Sequence, residues 1–189
     1  MRDKPEILFV GEHLSFRRRR GWEYVEHRNA PEAVMIVAVT PEQELVLADE
    51  FRPAVEARVI SLPAGLVGDV DPEDKETAAR RELREETGYA AADLTVLGRG
   101  PGSAGASSEI VTFFLARDAR RVGEQAPEDR QIIRVHTVAL PRVLSWSRER
   151  EEEGTLIDPK IWAGLYLAAA AEMPGGRRIS RPVRDSGRS

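Results

Sequence analysis

Cysteine is absent from the 189-residue chain, which excludes disulfides and thiolate metal sites. Long apolar runs are missing too. The longest candidate, IWAGLYLAAAAEM, is shorter than the ~18 residues of a membrane span and follows Asp-Pro-Lys. There is no basic excess: 28 Lys and Arg face 32 Asp and Glu, for a net charge of -4, so bulk charge exerts no pull toward nucleic acid. The opening MRDKPEILFV is charged at once and too short in apolar residues for a signal peptide. The expectation is therefore a cytoplasmic protein with neither nucleic acid nor membrane as a partner. At 41% hydrophobic and 32% charged, the composition is that of a globular chain with one sizeable domain.

Short alternating or β-branched runs dominate the first part: EILFV, WEYVEHR, AVMIVAVT and LVLADEF, with PEQE between the last two reading as a hairpin turn. These predict an antiparallel sheet region. In ARVISLPAGLVGDVDP a strand gives way to a loop punctuated by Pro63, Gly65, Gly68 and Pro72. A helix follows, with Asp71 or Asp74 as its cap and Gly88 as its terminator. DLTVLGR, SEIVTFFLARD and IIRVHTVAL read as strands, PRVLSWSREREEEG and PKIWAGLYLAAAAEM as helices. The tail PGGRRISRPVRDSGRS has five arginines against one acid and reads as disordered. Arg17 to Arg20 read as a solvated turn, or as a patch that steers anions. Strands that alternate with single helices predict an α/β (α+β) layered fold.

The stretch RRELREETGY sets five charged side chains in the six positions from Arg81 to Glu86. At helical spacing Glu82 and Glu86 stand one above the other, with Glu85 beside them, while Ala79 and Leu83 form a neighbouring stripe toward the core. An ion-paired surface helix accounts for Arg81 with Glu85. It does not account for the like-charge pair Glu82 and Glu86, which costs ~0.2–0.5 kcal/mol in water unless a cation lies near. Carboxylates without Cys or His suit a hard divalent ion such as Mg²⁺, which combines a few carboxylates with substrate phosphates. That chemistry predicts a diphosphate site.

Glu73, seven residues, then RELREETGY resembles the Nudix box of the Nudix hydrolases, matching from Glu73 to Gly88 with Tyr89 at the last, usually apolar, position. Seven residues separate Gly65 from Glu73, so LVGDVDP is two residues longer than the pattern and is expected to bulge at Gly68–Asp69 without moving the helix. The resemblance implies a Nudix fold, an α/β/α sandwich with a mixed sheet. Glu82 and Glu86 would ligate Mg²⁺ (Mn²⁺ as a substitute), Glu85 would ligate a further ion or orient the attacking water, and the Ala64 carbonyl would complete the site. Glu73 and Arg81 would form a structural ion pair.

The segments WEYVEHRNAPEAVMIVAVT, EFRP, SLPAGL and GTLIDPK resemble the ADP-ribose pyrophosphatase branch of that family. What this implies is Mg²⁺-dependent hydrolysis of ADP-ribose or a related ADP-sugar, a nucleoside diphosphate sugar, to AMP and the sugar phosphate. Other Nudix substrates (a GDP-sugar, a flavin dinucleotide, a dinucleoside polyphosphate) and a non-catalytic nucleotide-sensing module are the alternatives. Trp22 would stack on adenine, with Glu23 nearby, and Arg52 would bind phosphate. His27 stands where the branch has a second arginine, with Arg28 next to it. Ser108-Glu109 matches the end of the substrate loop, although Ala104 replaces a proline there and Pro101 lies three residues earlier. Catalytic roles fall to Glu85, Glu86, Glu109 and, in the acidic loop PEDRQ, Glu128 or Asp129. The implied organisation is N-terminal strands over 1–30, exchanged in a homodimer, a Nudix domain over 31–173, and the tail over 174–189.

Overall fold

A computed structural model describes residues 3–68, 71–126 and 132–173. Glu128, Asp129 and the arginine-rich tail lie outside the described residues. The chain begins with β1 (Glu6–Val10), β2 (Leu14–Arg19) and β3 (Trp22–His27), an antiparallel sheet in that order. The run Arg17 to Arg20 is thus not a turn, as the sequence suggested. Three of its arginines lie in β2, and only Arg20 and Gly21, both at positive φ, make the reversal. The strand tolerates this charge because its neighbours are acidic: Arg17 pairs with Glu26, Arg18 with Glu6 and Glu23, and Arg20 with Asp3.

Two four-stranded sheets follow. One has β7 (Ala64–Leu66), β4 (Glu32–Ala38), β10 (Ile110–Ala116) and β9 (Leu94–Pro101) in that order, with β4 and β10 parallel and the outer pairs antiparallel. The other has β12 (Arg134–Ala139), β5 (Glu44–Arg52), β6 (Ala57–Ser61) and β13 (Leu156–Ile157), with β6 and β13 parallel. Short β8 (Tyr89–Ala90) and β11 (Arg120–Arg121) pair separately. The expected hairpin at PEQE is only half right. The turn exists, with Thr40 N–H donating to the Glu44 carbonyl and Gln43 at positive φ, but beyond a single bridge between Val39 and Leu45 the strands part into different sheets. β4 is claimed on both sides by β7 and β10, and β5 by β12 and β6.

The near-continuous apolar runs of β4 and β10 reflect burial on both faces. Val34, Ile36, Ala38, Phe114 and Ala116 pack with Ala78, Ala79 and Leu83 of α1 (Lys75–Thr87). The alternate residues Met35, Val37, Val111 and Phe113 pack on the other side, where Val143 of α2 (Val143–Glu152) and Ile161 of α3 (Lys160–Glu172) complete the layer. The mixed sheets therefore lie between α1 and the α2/α3 pair, the α/β/α arrangement the resemblance implied.

Candidate active site

Helix α1 is fixed at both ends. Asp74 accepts from the Thr77 N–H at 2.8 Å, and these bonds hold its carboxyl below the usual range. Gly88 closes the helix at φ 74°, its N–H donating to the Arg84 carbonyl. A side chain there would also run into the Gly123 carbonyl. The longer loop before the helix leaves this frame in place. Gly68 N–H donates to Glu73 at 3.3 Å, and Glu73 accepts from Arg81 at 2.8 Å. The Arg81 hydrogen bond holds the Glu73 carboxyl below its ordinary value, and Glu73 in turn holds the Arg81 guanidinium further up. Arg81 also reaches the Leu66 carbonyl (3.2 Å), Glu82 (2.8 Å) and Glu85 (3.0 Å). The expected structural pair of Glu73 and Arg81 is thus the centre of a larger network that ties loop, β7 and helix together.

One face of α1 borders a cleft of about 630 Å³. Ala64, Arg52, Glu82, Glu85, Glu86 and Glu109 all line it, so the chain brings these six expected residues together from β5, β7, α1 and the start of β10. Glu82 is buried, at 8% exposure, with its carboxyl against the Cα of Gly65. A Cβ at position 65 would fall on that carboxyl. Glu86 accepts from the Ala64 N–H at 3.0 Å. Loss of water around its carboxyl, with lesser pushes from Glu82 and Glu50, raises its pKa to about 8 against the pull of the Ala64 N–H and Arg52.

Among the described residues no three acidic or histidine side chains form a ready-made metal cage. Arg81 supplies the positive charge for Glu82 and Glu85, and Glu86 is held toward its neutral form. The donor set nevertheless fits a hard cation. All donors are oxygens, the Glu82 carboxylate is buried with that of Glu86 partly buried near it, and the missing side chain at Gly65 leaves room for Glu82. Glu82, Glu85, Glu86 and the Ala64 main chain are the groups that would hold it.

Other expected contacts fall elsewhere. Trp22 is 63% exposed and outside the cleft lining. Its indole N–H donates to the Gly105 carbonyl at 3.0 Å, which fixes the ring while leaving a face open. Glu23 pairs with Arg18 at 2.7 Å. Arg28 donates to the Gly11 and Glu12 carbonyls, both at 3.1 Å, and so ties the β1–β2 turn to β3. In this single chain neither lines the cleft. His27 does, 3.7 Å from Glu109. Strand β3 docks on the 103–108 loop through Val25 N–H to the Ala106 carbonyl and Ser108 N–H to the Val25 carbonyl.

Sequence reasoning missed Glu50. It also missed Gly65 as a seat for Glu82, and Lys160 with Asp158 at the start of α3, which pair at 2.7 Å and line the cleft. Alternation along β5 was the available signal, because Glu50 shares a face with Arg52.

A helix that presents crowded carboxylates to a cleft shared with an arginine, behind a glycine-seated loop, defines a Nudix-type site. The chain belongs to that family: residues 30–158 match the NUDIX domain. It is 35% identical over 130 residues to an ADP-ribose pyrophosphatase of Bacillus subtilis (68% of each chain). It is 29% identical over 195 residues to an ADP-sugar pyrophosphatase of Mus musculus (89% of this chain, 88% of that one). A crystal structure of an ADP compounds hydrolase superposes with a TM-score of 0.61 at 22% identity, covering 88% of this chain and 93% of the other, and so shares the fold.

Proposed function

We propose that the protein hydrolyses the pyrophosphate bond of ADP-ribose, or a closely related ADP-sugar, to AMP and ribose 5-phosphate, with Mg²⁺ as cofactor and Mn²⁺ as a substitute. The observation that carries this reading is the gathering, in one cleft, of Glu82, Glu85, Glu86 and Arg52, joined to the similarity to an ADP-ribose pyrophosphatase. A diphosphate in that cleft meets a guanidinium fork suited to its oxygens. When bound, the divalent ion would neutralise charge on the diphosphate and favour attack by water.

The chain's own groups hold and orient. Arg52 binds a phosphate, and Trp22 offers its open face to adenine, an interaction worth ~1–3 kcal/mol. A carboxylate takes the proton of the attacking water as the P–O bond to the departing phosphate breaks. Glu85 and Glu109 are the described candidates for that base. The exposed apolar side chains of the N-terminal sheet, Ile7, Phe9, Val10 and Trp22 among them, support assembly as a homodimer.

The test is a panel of ADP-ribose, ADP-glucose, GDP-mannose, flavin adenine dinucleotide and diadenosine polyphosphates at fixed Mg²⁺, with products separated by chromatography. The highest kcat/KM is expected for ADP-ribose, with AMP as product. A preference for a guanine or dinucleoside substrate would overturn the assignment.

A further inference from the structure

We propose that Glu50 is a positioning residue for diphosphate binding, acting through Arg52, which it holds at the edge of the cleft. This rests on the reading of Arg52 as a phosphate ligand.

Glu50 is 5% exposed, although it sits next to the exposed end of β5. Register explains its direction. Glu50 pairs with Val59 and Ala48 with Ser61, and Glu50, Arg52, Val59 and Ser61 all line the cleft. Its neighbour Asp49 points to the opposite face and is used there, by Arg58 at 2.8 Å and His136 at 3.4 Å.

A carboxylate buried beside Glu86 is unfavourable unless it has a cation of its own. That cation is Arg52, whose guanidinium pairs with Glu50. The pair works in both directions. Arg52 makes the burial of Glu50 tolerable, and Glu50 restrains a side chain that is otherwise half exposed and free to sample many rotamers. The backbone agrees with this purpose, since Pro53 begins a short 3-10 turn immediately after Arg52 and stops the strand there. One edge of the guanidinium is used by Glu50. The rest remains for phosphate oxygens, as its fork of donors allows.

The experiment compares wild type, Glu50→Gln, Glu50→Asp, Arg52→Ala and the double variant Glu50→Gln/Arg52→Ala. It reads kcat and KM for ADP-ribose, half-saturating Mg²⁺, and calorimetric affinity for α,β-methylene ADP-ribose in Ca²⁺. Glu50→Gln keeps the shape of the side chain and removes its charge. It is expected to raise KM and weaken analogue binding about tenfold, with kcat little changed. Glu50→Asp, which retains the charge, should recover part of the loss. The double variant should be no worse than Arg52→Ala, because a residue that acts through another has nothing further to lose. Additive losses, or a raised Mg²⁺ requirement with unchanged KM, would overturn the proposal. A silent Arg52→Ala would overturn it together with the phosphate role of Arg52. Wild-type protein that neither binds nor cleaves ADP-ribose would defeat the substrate reading first, whereas active wild type with additive variants defeats the role of Glu50 alone.

Discussion

The side of the cleft made by α1 and the side where β3 meets the 103–108 loop are held together in different ways. On the first, Arg81 alone reaches Glu73, Glu82, Glu85 and the Leu66 carbonyl, and Gly65 and Ala64 press on the two partly or fully covered glutamates. Three of the four acids there share one guanidinium, and the fourth, Glu86, is held by a main-chain N–H. On the second, a few hydrogen bonds from Val25, Ser108 and the Trp22 indole join an exposed sheet to a loop, and His27 meets Glu109 at 3.7 Å. The contrast matches the two tasks proposed for these sides: diphosphate chemistry needs charges preorganised at their working positions, whereas recognition of a base and sugar tolerates a wall that adjusts.

The contrast can be broken most severely on the α1 side. Glu86→Gln is expected to lower kcat for AMP release by about 10³-fold through loss of charge stabilisation at the diphosphate, with no fall in Tm, since the amide oxygen still accepts from Ala64 N–H. Gly65→Ala comes next. Its methyl group would displace the Glu82 carboxyl, and a shift of about 1 Å costs on the order of 10²-fold in rate, with ~1–3 kcal/mol of stability lost to overpacking. Urea titration separates the two effects.

On the recognition side, Trp22→Ala should raise KM for ADP-ribose about tenfold while kcat holds, and Trp22→Phe should restore part of it. Arg28→Ala should leave KM where it was and show only as a small loss of Tm, because its two carbonyl contacts are within the N-terminal sheet. A tenfold KM change in Arg28→Ala would return that arginine to the cleft, as the exchanged arrangement of a homodimer could do.

The mildest effects come from pH. Glu86 is raised to about 8 in the fold, above its unfolded value. In metal-free protein its contribution to stability is therefore complete below the unfolded pKa and is lost as pH rises through about 8. Glu73 is lowered by Arg81, so its contribution is present above its unfolded pKa and is lost as pH falls. Metal-free Tm should consequently decline as pH rises from the ordinary carboxylate range toward about 8 and level off above it, and Mg²⁺ should suppress that decline. A metal-free Tm that is flat from pH 6.5 to 9 would contradict the raised value.

The same division decides how much the sequence revealed. On α1, spacing along one helix was enough. Three and four residues bring Glu82, Glu85 and Glu86 to one face, eight join Glu73 to Arg81 across a cap, and Gly88 ends the turn. All of these appear as read. The N-terminal sheet was harder, because which face of a strand meets which neighbour depends on register with distant segments. Glu23 and Arg28 were expected at the substrate; in the single chain they bind Arg18 and the β1–β2 turn, while His27 faces the cleft. Arg17 to Arg19 looked like a turn because their acidic partners lie on other strands. PEQE looked like a hairpin because nothing local says that β4 and β5 join different sheets. Glu50 was hidden for a related reason: alternation along β5 sets it beside Arg52, but that this face is buried next to Glu86, thirty-six positions away, depends on the fold.

The central claim is that the covered carboxylates of α1 form a divalent-cation site. It is tested most directly by Mn²⁺ titration followed by electron paramagnetic resonance, comparing wild type with Glu82→Gln/Glu86→Gln. The account predicts that the wild type takes up Mn²⁺ more tightly at pH 8 than at pH 6, as Glu86 gives up its proton, and that the double variant retains its Tm but loses this binding. Undiminished Mn²⁺ uptake by the double variant would contradict it.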